Sequence, residues 1–202
     1  MRKLFALLPL LFLVSFTATD EPMSKKDRKF GLNYFKETKQ RLVNNIKGLS
    51  DAQLNWKAND SSWSIASCIE HIAISEKNLF DWSMSSLKEA ANPSKRSEIK
   101  QTDEAIIKMI TDRSFKAKAP EGFTPSGQFG PGNDALKVFS ERRDNNMNFF
   151  KTTKEDLRNH FIAHPFLGTI DTYQMLLFMT GHTLRHTLQV EEVKAKPGFP
   201  KN

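Results

Sequence analysis

The chain is poor in cysteine: Cys68 is the only one in 202 residues. A single thiol excludes an intramolecular disulfide framework and a zinc ribbon, which needs several thiolates, so any metal must rest on histidine, aspartate or glutamate. Membrane-spanning apolar length is lacking too. The run at the start, Leu4 to Phe16, holds about 13 residues against the roughly 18 a spanning helix needs, and Pro9 interrupts it. No long block of one charge is present. The 30 lysines and arginines outnumber 23 acids, but both signs alternate along the chain, so the net charge of +7 speaks to solubility. Without a recognisable motif or a basic-aromatic patch, no nucleic-acid partner is expected. Low-complexity segments and internal repeats are absent, and 39% hydrophobic with 26% charged residues fits one globular domain with its own core.

The start of the chain reads as targeting. Arg2 and Lys3 precede the apolar run, and the small residues Thr17, Ala18 and Thr19 follow, then Asp20 and Glu21. A charged start, a short apolar stretch and a small-residue exit describe a secretory signal peptide. Residues 1–19 are assigned to it and residues 20–202 to the folded domain. Phe16 would sit third before a cut after Ala18, so cleavage is placed within Thr17 to Asp20. No cysteine lies near the exit, which excludes a lipoprotein anchor. Loss of Arg2 and Lys3 lowers the charge from +7 to +5. The expected location is secreted or periplasmic, with no stable membrane anchor after cleavage.

The remainder reads as helices. From Lys25 to about Lys47, the residues Phe30, Leu32, Tyr34, Phe35, Leu42, Val43 and Ile46 recur mostly at three- and four-residue spacing, and Gly48 ends the segment. A link from Leu49 to Trp56 leads to the capping cluster Asn59-Asp60-Ser61-Ser62 and a second helix from Trp63 to about Ala90, stopped by Asn92-Pro93-Ser94. A short helix is expected over Thr102 to Phe115. Ala119 to Gly132, rich in proline and glycine, is a loop. Asn133-Asp134 caps a third long helix to about Leu157, and Thr169 to about Lys194 forms a fourth, closed by Pro197-Gly198. No stretch alternates convincingly with period two. Four long amphipathic helices predict an all-α fold, an antiparallel four-helix bundle.

The chemistry lies on the fourth helix. His182 and His186 are four residues apart, so they share one face and both imidazoles can reach one ion. They continue a stripe of Met175, Met179, His182, His186, Gln189 and Val193, spaced by fours and threes like the seam of a bundle helix. Two imidazoles buried together need partners for their ring nitrogens, and a metal supplies them. A third histidine, His71, sits on the second helix among Ser64, Ser67, Cys68, Ser75 and Asn78, small polar neighbours that suggest a cavity. Three histidines would leave open positions on a divalent ion for water or substrate. Their plainer reading is a set of hydrogen-bonded core histidines.

Taken in order, Leu49 to Trp56, Trp63-Ser64-Ile65 with His71 eight residues after the tryptophan, His164-Pro165-Phe166-Leu167-Gly168-Thr169, and His182-x-x-x-His186-x-x-Gln189 resemble the DinB-like superfamily. That superfamily includes the YfiT-type metal-dependent hydrolases, and the similarity covers about residues 26–196. It implies an antiparallel four-helix bundle, commonly a homodimer, with nickel, zinc or a similar divalent ion on His71, His182 and His186. It also implies either metal-assisted hydrolysis of a small molecule or a thiol-dependent transfer or isomerisation. Thiol cofactors belong to the reducing cytosol, so an exported chain tilts towards hydrolysis. The alternative class is a non-catalytic metal- or ligand-binding bundle of the cell envelope.

No catalytic residue can be named from the sequence. Glu70 and Glu191 neighbour ligands in sequence and so point to other faces. Gln189, one turn after His186, can hydrogen-bond a ligand or pack between helices. Cys68 reads as a small buried hydrophobe. His160 and His164 share helical spacing, but Pro165 follows them and puts them at a helix end or in a loop. The Ala119 to Gly132 loop is a candidate rim for the site. Trp63, Trp82, Met175 and Met179 read as core.

Overall fold

A computed structural model of the chain describes residues 23–201, so the expected signal peptide and its cleavage range lie outside the described residues. Among the described residues no helix is long and apolar enough to cross a membrane. The elements in chain order are α1 (Lys25–Ile46), α2 (Asp51–Asn55), α3 (Ile65–Ser86), a 3-10 helix (Pro93–Glu98), α4 (Asp103–Thr111), α5 (Gly132–Thr152), β1 (Phe161–His164), β2 (Gly168–Asp171) and α6 (Thr172–Lys194). The expected four-helix bundle is present as α1, α3, α5 and α6.

Side-chain caps set where the helices begin. Ser24 accepts from the Asp27 amide at α1, Ser64 from Ser67 at α3 and Thr102 from Ala105 at α4. Asp171 and Gln174 form a reciprocal capping box at α6, which fixes the start of the helix that carries His182 and His186 at Thr172 and not at Thr169. On α1 the buried face is Gly31, Phe35, Thr38, Leu42 and Ile46, while Phe30 lies outside it, 46% exposed.

Contacts between helices give their directions. Tyr173 donates to the Asp27 carbonyl near the start of both α6 and α1, and Glu191 meets Arg41 and Asn45 near their ends, so α1 and α6 run parallel. Gly132 packs on Ala66, and Arg143 binds Glu76, so α3 and α5 are also parallel. Ser86 reaches Thr172 while His71 reaches His182, which makes α3 and α6 antiparallel. Arg28 on Phe150 and Lys39 on Asp144 do the same for α1 and α5. Because α5 repeats the direction of α3, the chain must travel the length of the bundle between them. Residues 87–131 are that crossover, and α4 within it packs on α6. Gly181 permits this approach: a β-carbon there would lie 2.5 Å from Ile110 of α4.

Several boundaries differ from expectation. The third long helix stops at Thr152 because Thr153 and Asp156 side chains accept the amides of Glu155, Arg158 and Asn159, satisfying the backbone outside a helix. A β-hairpin follows, with Ile162 opposite Ile170, both buried. Four-residue strands are too short for period-two alternation to register in a sequence. The turn between them uses Gly168 at φ +71°. The link after α1 contains the short helix α2, closed by its own capping box, and α4 ends at Thr111 and not at Phe115.

At mid-bundle Arg143, fully buried, donates to both carboxylate oxygens of Glu76 at 2.8 and 2.7 Å, to the Phe35 carbonyl, and to the hydroxyls of Thr38 and Thr183. Asn146 adds a bond to Glu76 at 2.9 Å. Breaking a buried pair from one side strands the other charge, so Arg143→Met is expected to cost about 3–5 kcal/mol in urea unfolding. Lys39→Ala, which removes the surface pair with Asp144, is expected to cost less than about 1 kcal/mol.

Candidate metal centre

Three imidazoles meet where the start of α3 faces the end of α6. His71 Nε2 and His186 Nε2 each lie 3.2 Å from His182 Nε2. One ligand atom from each ring lies within 4.8 Å of the others, a set that could hold a metal ion. The helical step of four on α6 aligns His182 with His186, and the antiparallel register of α3 delivers His71 to them.

The outer ring nitrogens settle the tautomers. His71 Nδ1 is 2.6 Å from the Phe123 carbonyl, which can only accept, so that nitrogen carries the proton. His186 Nδ1 is 2.8 Å from Gln189 Oε1, and Arg113 donates to the same oxygen at 3.5 Å. Both neutral rings therefore turn bare Nε2 lone pairs towards His182. A single proton on His182 can serve one of them well, leaving another lone pair unsatisfied in a buried site. A cation satisfies all three. The two 3.2 Å separations and the 4.8 Å limit on the whole set keep the three nitrogens close enough for His71, His182 and His186 to share one ion. The donor set therefore fits a divalent ion.

Around the rings, Trp63 packs against His71 and His186 at 4.8 and 6.0 Å between ring centroids, and Phe178 lies 6.5 Å from His182. His71 and His186 are buried and His182 is half-buried by whole-residue exposure, its ring packed between the other two. Burial holds His71 below the usual imidazole range, opposed by its bond to Phe123. Burial first, and the neighbouring imidazoles second, hold His182 and His186 well below it. All three are neutral near pH 7 and available as ligands.

The other candidates are sorted by what they touch. Gln189 hydrogen-bonds His186 Nδ1, one of the two contacts its spacing allowed. Glu70 turns away from the imidazoles and accepts the amides of Ser126, Gly127 and Gln128. Glu191 is engaged by Arg41 and Asn45. Cys68 is buried outside the cluster, its thiol pushed up to about 12 by burial. His160 faces the Ser86 carbonyl, and His164 ends β1, stacked on Trp82 and against Phe178. The expected rim loop does reach the site, but through the Phe123 carbonyl. Sequence reading missed that atom because a backbone oxygen 52 residues from its partner leaves no mark in residue identity.

Comparison with known proteins follows the same lines. The DinB superfamily profile matches residues 34–190, which include all three histidines. The uncharacterized protein YuaE of Bacillus subtilis (strain 168) is 28% identical over 165 residues, 82% of this chain and 98% of YuaE. Among solved structures, YfiT from Bacillus subtilis, described as "a probable metal-dependent hydrolase with an unusual four-helix bundle topology", superposes with a TM-score of 0.57. It is 18% identical and covers 85% of this chain and 88% of its own, a likeness of fold.

The depressed imidazoles make a signed prediction for the metal-free protein. Unfolding lets each ring bind a proton below about pH 6.5 that the folded state refuses, so the unfolded state gains protons as pH falls and stability drops. The urea midpoint is expected to fall steadily from pH 7.5 to pH 6. A flat midpoint over that window would show that the rings protonate in place.

Proposed function

The chain belongs to the DinB superfamily, and on that footing we propose that it is a divalent-metal-dependent hydrolase whose ion is held by the Nε2 atoms of His71, His182 and His186. The observation that carries the reading is the convergence of three imidazole Nε2 atoms, two of them left bare because their Nδ1 atoms are tied to Phe123 and Gln189. The description of YfiT as a metal-dependent hydrolase on the same fold supports it. Zinc or nickel suits a three-imidazole donor set. A bound divalent ion supplies a Lewis acid that lowers the pKa of water towards 7 and polarises a carbonyl or phosphoryl oxygen. The chain's own residues do the rest. Gln189 and the Phe123 carbonyl hold two rings in the ligating tautomer. Trp63 packs over His71 and His186 and limits their contact with water, and a small-molecule substrate would take an open position on the ion. Export through the Arg2-to-Thr19 segment and a homodimeric assembly belong to the same proposal.

One observation favours a second reading, a non-catalytic metal-binding bundle. Glu70 and Glu191 are both held by other partners, so neither stands free as a general base. Zinc-dependent turnover of p-nitrophenyl acetate separates the two readings, since a binding bundle gives none above the rate of free zinc.

Elemental analysis of residues 21–202, purified without a histidine tag, tests the ligand set. About one ion per chain is expected in the parent, and loss in each of His71→Ala, His182→Ala and His186→Ala. The ion should also raise the parent's stability by about 2.7 kcal/mol at one hundred times its Kd. A His182→Ala protein with stoichiometric metal would refute the assignment.

A further inference from the structure

The Ala119 to Gly132 loop closes the long crossover and arrives beside His71, where α3 grips it at three points. Glu70, buried on α3, accepts three consecutive amides, with Oε1 taking Ser126 at 3.0 Å and Gln128 at 2.9 Å, and Oε2 taking Gly127 at 2.9 Å. Asn78 donates to the Gly122 carbonyl at 3.2 Å. Between these, the Phe123 carbonyl accepts from His71 Nδ1. Further along, Phe129 packs into the core beneath Arg142, whose guanidinium lies 5.0 Å from its ring. The stretch between Phe123 and Phe129 is therefore held by one carboxylate, which meets three backbone donors in a concave turn that Gly127 makes possible at φ +82°.

We infer that Glu70 is a positioning residue for the metal centre: by clasping the Ser126–Gln128 amides it holds the Phe123 carbonyl on His71 and so aims His71 Nε2 at His182 and His186. Glu70 sits next to His71 in sequence but acts on it through 52 residues of chain, by way of the loop. The role rests on the proposed metal site only in its consequence for affinity, since the loop and the ring orientation exist without an ion.

Two variants and two readouts decide it. Glu70→Gln keeps size but turns one acceptor into a donor against backbone N–H groups. Gly127→Ala leaves Glu70 intact and adds a β-carbon that meets nothing within 4 Å, so it disturbs only the left-handed turn. In the metal-free protein, ring 15N shifts report which nitrogen of His71 bears the proton, and amide exchange reports the loop. The parent is expected to carry the proton on Nδ1. Both variants are expected to shift it in part to Nε2 and to speed exchange at residues 126–128 by about tenfold or more. Zinc affinity, measured by chelator competition, should fall about 10- to 100-fold while the far-ultraviolet spectrum is kept. The inference is overturned if the His71 proton stays on Nδ1 in a folded variant, or if the amides are freed and zinc affinity is unchanged. A parent that binds no zinc sinks the hydrolase reading instead, and the metal-free readouts alone then judge Glu70.

Discussion

The meeting of His71 with His182 and His186 depends on the register between α3 and α6, and that register is held by Arg143. Its guanidinium lies on α5 yet touches Glu76 of α3, Phe35 and Thr38 of α1, and Thr183 of α6, so one side chain ties all four long helices. Glu76 lies five residues from His71, and Thr183 directly follows His182. A slip of α3 along α6 by one turn, about 5.4 Å, would separate the imidazoles and break the pair together. A buried ion pair is a weak source of net stability, because desolvation offsets its attraction, but it penalises every misregistered packing severely. Phe35 and Phe139 flank the guanidinium at 5.1 Å each and keep water from replacing its partners.

The direction of the helices explains the remaining parts of the site. With α3 and α5 parallel, the chain must return to the end where both begin, and that end carries His71. The crossover therefore brings a loop to the imidazoles as a topological necessity. A simple up-and-down bundle would place a short turn at the opposite end and leave His71 Nδ1 to water. The same return lets α4 lie on α6 beside Gly181, and Arg185 on the next turn donates to the carbonyls of Asp112 and Phe115 that follow α4.

What the sequence revealed and concealed divides along physical lines. The α6 stripe was legible because periodic residues on one helix need no knowledge of neighbours: Met175 and Met179 are fully buried and His182 and His186 continue their line. His71 was legible only through the histidine pair on α6 and the family resemblance, since a lone histidine on a helix reads as an ordinary one. The hairpin was hidden because each strand spans four residues and its polar ends, His164 and Asp171, are consumed by stacking and capping. Glu70 was correctly turned away from the ligands, yet its partners are amides of Ser126, Gly127 and Gln128, which any residue would supply. Backbone donors and acceptors are the same at every position, so side-chain identity cannot announce them.

The charges around the three imidazoles follow a consistent rule. Ligating histidines are often oriented by carboxylates, which raise ligand basicity and offset the charge of an ion. Here the orienting groups are a backbone carbonyl and an amide, both neutral. Each carboxylate that comes near is matched elsewhere: Glu76 by Arg143, Glu191 by Arg41, Glu192 by Arg113, and Glu70 by three amides. A divalent ion on this site would keep nearly its full charge in a partly buried setting, where electrostatic effects are larger than in water. Among the described residues, the three imidazoles accordingly meet no free carboxylate, since Glu70 and Glu191 are both engaged elsewhere.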